Sequence, residues 1–147
     1  MLTPGLRPAL TTDNAFRSLR IVHLILIASM LMYMWLPGYL KVHPRQPLNP
    51  VLYGALVVLA LLLVGVIVVV RNLMLQRSAE QLALHPDDSG LIRKWYLGCL
   101  VIFCLCEAIV LYGFVLRFVG ATPLQSAPFY LGGLVLMLCF TPKRLAA

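Results

Sequence analysis

The stretch Trp95-Tyr96-Leu97-Gly98-Cys99-Leu100-Val101-Ile102-Phe103-Cys104-Leu105-Cys106-Glu107-Ala108-Ile109-Val110-Leu111-Tyr112-Gly113-Phe114-Val115-Leu116-Arg117 is apolar along its length, with one carboxylate, Glu107, near its middle. It is long enough to cross the hydrocarbon core of a bilayer, which takes roughly 20 apolar residues as a helix. Read as a span, it places Glu107 near mid-membrane. An ionisable group at that depth is costly and marks a candidate functional site.

The rest of the chain matches that reading. Of 147 residues, 61% are hydrophobic and only 12% charged, and the mean hydropathy is +0.92. A soluble domain carries about 25% charged residues. One compact membrane domain, 1–147, is expected. The net charge of +7 comes from Lys and Arg at the ends of apolar runs. That distribution fits contact with lipid head groups and gives no basis for nucleic-acid binding.

Four apolar runs stand out: 21–39, 51–70, 95–119 and 126–141. Before the first, Pro4 and Pro8 oppose an early helix, and Thr12 and Asp13 are placed to cap one starting near Asn14. A basic start before an apolar run has the outline of a signal peptide, but no small-residue cleavage site follows, so an uncleaved anchor is expected. Tyr33, Trp35 and Tyr39 suit an interface, and Pro37-Gly38 is expected to loosen or end the first helix. Within the second run, the β-branched residues 64–70 taken alone resemble a buried strand, and length decides for helix. A cytoplasmic helical extension and turn, 71–94, follow, with Asp87, Asp88 or Ser89 as caps for the third helix. The fourth run is short, and Gly132-Gly133 would admit a close neighbouring backbone.

Charge counting orients the spans. With both termini cytoplasmic, the inner side carries Arg7, Arg17, Arg20, Arg71, Arg77, Arg93, Lys94, Lys143 and Arg144, and the outer side Lys41, Arg45 and Arg117. The excess predicts N-in and C-in with four crossings. The fold class expected is all-α: an integral membrane antiparallel four-helix bundle, in the inner (cytoplasmic) membrane of a bacterium.

Glu107 is the ion-binding candidate. Its helical neighbours Phe103, Cys104, Val110 and Leu111 offer no cation, and Arg117, ten residues on, is about 15 Å away along the axis. A partner has to come from another helix, and Ser29 and Tyr33 lie at suitable depth. A carboxyl in hydrocarbon without a cation is expected to hold its proton. In that form it serves either as interhelical glue or as a proton- or cation-binding group. Tyr112, Tyr130 and Arg117 sit toward the outer face, where Arg117 either snorkels or forms part of a polar route to Glu107.

Other polar groups are less specific. The four cysteines form no C-x-x-C pair and read as small buried hydrophobes. His23, His43 and His85 fall at or beyond the membrane edges and read as interfacial or solvated. His85 with Asp87 and Asp88 reads as a capped turn in preference to a metal site. No metal or cofactor is implied. Nucleophile-elbow, zincin, P-loop and paired-carboxylate patterns are all missing, which disfavours an enzyme.

The segment Glu107-Ala108-Ile109-Val110-Leu111-Tyr112-Gly113 resembles the ion-carrying helix of the ATP synthase proteolipid, the c subunit, over about residues 93–120. That helix has a carboxylate, a small residue, then an aromatic and a glycine. The resemblance implies one role, Glu107 as the ion-binding carboxylate. Its partner helix carries a dense glycine repeat, whereas the second run here offers only Gly54 and Gly65. As a whole, the chain resembles small four-helix bacterial membrane proteins.

The function expected is a small non-enzymatic accessory or structural subunit of a membrane assembly, partnered by lipid and by another membrane protein or its own copies. The alternative is a proton- or cation-handling protein that uses Glu107. A lipid-modifying enzyme is the weaker alternative.

Overall fold

The computed structural model describes residues 12–40, 48–76, 81 and 88–141. Among them every regular element is helical: α1 Thr12–Tyr39, α2 Pro50–Val70 running into a π-helical turn Arg71–Gln76, α3 Ser89–Phe118 and α4 Pro123–Cys139. Three helical segments, Asp13–Tyr39, Pro50–Met74 and Gly90–Phe118, are long and apolar enough to cross a membrane, and Pro123–Cys139 is a shorter apolar helix. Arg7, Lys41, His43, Arg45, Arg77, His85, Asp87, Lys143 and Arg144 lie outside the described residues, as does most of the expected extension beyond Gln76.

Local chemistry sets the helix ends. Asn49 caps α2 by accepting from the Val51 amide at 2.9 Å, with Pro50 in the first turn, where its missing N–H is harmless. Asp88 caps α3, accepting from the amides of Gly90 and Leu91 at 2.8 and 3.4 Å. At the other end of α3, Gly120 adopts φ 109° and the Ala121 amide returns to the Leu116 carbonyl at 2.9 Å, a left-handed C-terminal stop. Thr122 then opens α4 at once through a reciprocal capping box with Gln125. This compact corner holds α3 and α4 side by side.

The start of α1 departs from the sequence reading, and its end falls at Tyr39 as expected. The first helix takes in Thr12, and Asp13 lies in its first turn instead of capping from outside. There the carboxylate still meets the positive end of the helix. Pro37 does not stop α1, which continues to Tyr39 with the Leu40 amide bonded to the Leu36 carbonyl at 2.9 Å. A proline this near the end removes one bond from the last turn, and Pro37 itself is fully buried.

The central element is α3. Its apolar stretch is 44% buried within the protein, against 17% for α1 and 6% for α2. Trp95, Cys99, Ile102, Phe103, Cys106, Ile109 and Val110 of α3 form the main core with Leu19 and Met30 of α1, Ile67 of α2, and Tyr130 and Met137 of α4. Their spacing follows the helical repeat, so they form one broad buried stripe along α3. Of the four cysteines, Cys99 and Cys106 are buried, whereas Cys104 and Cys139 are exposed, and all four are free. The expectation of four buried thiols thus fails for two that fall on outward-facing positions.

The packing of α4 on α3 is close because of two glycines. A Cβ added to Gly133 would lie 2.5 Å from Val110 Cγ2 and 2.8 Å from the Cys106 carbonyl oxygen. One added to Gly113 would lie 3.0 Å from Phe129 Cβ. Gly132 has open space at the same position, so only one member of the Gly-Gly pair serves the close approach. Two ring contacts lie between α2 and its π-helical continuation on one side and the α4 segment on the other. Tyr53 meets Phe129 edge-on at 6.1 Å, and the Arg71 guanidinium lies 5.5 Å from the Phe140 ring.

Candidate functional site

Side-chain pairs between α1 and α3 advance in step along both helices. Ser18 Oγ and the Tyr96 hydroxyl share a hydrogen bond at 3.2 Å. His23 packs on Phe103 with ring centroids 4.9 Å apart. Ser29 Oγ donates to Glu107 Oε1 at 2.7 Å. Tyr33 packs on Phe114 at 5.4 Å. The two hydrogen-bonded pairs have the same sequence separation, 78 residues, so α1 and α3 run side by side in the same direction.

The geometry follows from helical periodicity. Ser18 and Ser29 are eleven residues apart, as are Tyr96 and Glu107. Eleven residues make just over three full turns, so each pair occupies one face of its helix, separated by roughly 16 Å along the axis. A carboxyl and a hydroxyl brought together in an apolar surrounding satisfy one another, and an unpaired polar group there costs several kcal/mol, on the order of the unsatisfied groups of membrane helices. Glu107 is part-buried, and among the described residues its hydrogen bond is the one from Ser29.

Of the other residues singled out in the sequence, Tyr33 sits one rung beyond Glu107, with its ring against Phe114. Tyr112 is half-buried beside the separate cluster of Leu116, Ala121 and Phe129. Arg117 turns to the corner and donates from Nη1 to the Ala121 carbonyl at 2.7 Å. That bond gives Arg117 a role in closing the α3–α4 turn, where a cation also suits the negative helix end. The structure therefore brings Ser29 to Glu107 and leaves Tyr112 and Arg117 with other partners.

Two buried side chains carry a polar atom with no partner among the described residues. His23 is not solvated: it is 4% exposed, and its Nδ1 is buried with no hydrogen-bond partner among the described residues. Tyr130 points inward, and its hydroxyl is likewise buried and unpaired among them. Buried polar atoms of this kind are few in native proteins and call for a physical reason. The signal for Ser18 and Tyr96 was the equal spacing of polar residues on two separate helices, eleven residues before Ser29 and Glu107. It acquires meaning only once those helices are known to be neighbours.

A hydroxyl–carboxyl pair flanked by an imidazole can hold a proton, pass one, or tie two helices together. No family model matches the chain, and neither a curated protein nor a solved structure does.

Proposed function

We propose that this chain is a small non-enzymatic subunit of a membrane assembly, in which Glu107, in its protonated form, locks α1 to α3. The observation that carries this reading is the 2.7 Å bond from Ser29 to Glu107 across two apolar helices. Such interhelical bonds contribute on the order of 0.6–2 kcal/mol in membranes. The bundle is antiparallel, with both termini on the cytoplasmic side of a bacterial inner membrane. Three sets of contacts support the alternation. Contacts advance in step between α1 and α3 and between α2, with its continuation, and the α4 segment. They run oppositely between α3 and α4, where Gly113 meets Phe129 and Gly133 meets Cys106. The distribution of Lys and Arg supports the orientation.

An assembly partner, or a second copy, accounts for α2. Its mean hydropathy is 3.0, and it buries only 6% of its apolar stretch within the chain. Purification of native protein and of Glu107→Ala in mild detergent tests the reading. The native chain retains a partner or a second copy, and the variant loses it with the bundle loosened. Full retention of both by Glu107→Ala contradicts the lock.

A second reading is favoured by a specific observation, the buried Nδ1 of His23, without a partner among the described residues and one rung from the carboxyl. In it, Glu107 takes up and gives back a proton. A hydrophobic carbodiimide, which modifies protonated carboxyls reachable from lipid, labels native protein at Glu107 and leaves Glu107→Gln unlabelled. Absence of labelling in the native chain counts against this reading.

A further inference from the structure

Along the α1–α3 seam, the polar groups form a series from one end of the bundle inward. The end is cationic: Arg17 and Arg20 of α1 and Arg93 and Lys94 of α3 are all exposed there. Next comes the Ser18–Tyr96 hydrogen bond, then His23 against Phe103, then Ser29 and Glu107. Phe103 and Glu107 are one helical turn apart on α3, about 6 Å along the axis. His23, packed on Phe103, is thus placed about one helical turn of α3 before the carboxyl.

We infer that His23 is the station through which the Glu107 carboxyl exchanges its proton with the cationic end of the bundle. The inference rests on the second reading above, in which Glu107 takes up and releases a proton. Its independent support is an imidazole that is 4% exposed, with a ring nitrogen that has no hydrogen-bond partner among the described residues.

A histidine used only for packing is equivalent to an aromatic hydrocarbon and brings the burden of a buried polar atom. A neutral imidazole has one donor nitrogen and one acceptor nitrogen. It accepts a proton at one and releases a proton from the other, so the ring returns to neutrality while one proton moves inward. The Glu107 carboxylate gains that proton as O–H and returns it by the same steps in reverse. Charge and atoms balance without a redox partner.

Other titratable side chains near this stretch do not replace it. Cys99, Cys106 and Tyr130 belong to the same buried cluster, and Tyr96 is already bonded to Ser18. Histidine alone among these side chains has an ordinary pKa near neutrality, where gain and loss of a proton are both rapid. Arg20 on α1 and Arg71 after α2 are fixed charges and pass no proton at neutral pH.

The test is hydrogen–deuterium exchange of the carboxyl itself. Full-length protein in phosphatidylcholine–phosphatidylglycerol vesicles is mixed into deuterated buffer. The shift of the carboxylic C=O stretch is then followed by time-resolved infrared spectroscopy, with Glu107→Gln used to assign the band. The expected result is that His23→Phe, which retains the ring contact with Phe103, slows the exchange by roughly ten-fold or more. His23→Gln, polar but unable to relay, slows it as well and serves if the phenylalanine variant fails to fold. Exchange at the native rate in a folded variant overturns the role of His23 and leaves the protonated Glu107 in place. Absence of any carboxylic band in the native protein removes the underlying reading along with the inference.

Discussion

Gly133 of α4 lies over the Cys106 carbonyl of α3 so closely that an added Cβ would stand 2.8 Å from that oxygen and 2.5 Å from Val110 Cγ2. Neither neighbour can give easily, because one is backbone and the other is a β-branched side chain on a buried face. Gly133→Ala is therefore expected to destabilise the bundle by about 1–3 kcal/mol, the usual range for overpacking. Gly132→Ala, with open space at its Cβ, is expected to be neutral. Unfolding in mixed micelles followed by circular dichroism measures both, and equal effects of the two would contradict the close crossing.

The α3–α4 corner gives a second prediction. Gly120 has φ 109°, a conformation that costs an L-residue about 1 kcal/mol or more. Thr122 supplies the capping box of α4, and its loss typically costs about 1 kcal/mol. Gly120→Ala and Thr122→Ala are expected to destabilise the bundle by these amounts in the same unfolding assay.

The cysteines report which faces of the helices are covered. Cys104 and Cys139 are exposed, and Cys99 and Cys106 are buried. A hydrophobic maleimide in detergent is expected to modify the first two in the folded protein, with the other two reacting only on unfolding. Mass spectrometry of peptides after labelling distinguishes them.

Much of the helical order was legible because apolar length alone marks a span, and Asp88 and Gly120 are conventional helix punctuation. The start of α4 carried an overlooked signal, since Thr122-Pro123-Leu124-Gln125 has the spacing of a capping box. What the sequence withheld was rotation. Whether His23 faces lipid, water or Phe103 depends on which side of α1 receives α3, and an apolar helix with a weak amphipathic pattern does not declare it. For the same reason, the exposed positions of Cys104 and Cys139 were indistinguishable from the buried positions of Cys99 and Cys106. The π-helical turn Arg71–Gln76 has no local sequence mark.

Ser18 and Tyr96 form a second hydrogen-bonded rung, at the cationic end of the seam. Ser18→Ala or Tyr96→Phe is expected to lower stability by no more than about 1 kcal/mol, since each removes one bond of a pair that is only part-buried. Both variants are expected to leave carbodiimide modification of Glu107 unchanged.

The most direct test of the account is a double-mutant cycle between Ser29→Ala and Glu107→Gln, read as unfolding free energy of the full-length chain in lipid–detergent micelles. If Ser29 and Glu107 hold α1 to α3 by the bond seen at 2.7 Å, the two changes couple by about 0.6–2 kcal/mol. Effects that add to within about 0.3 kcal/mol would mean that the two residues act independently and that the lock does not exist.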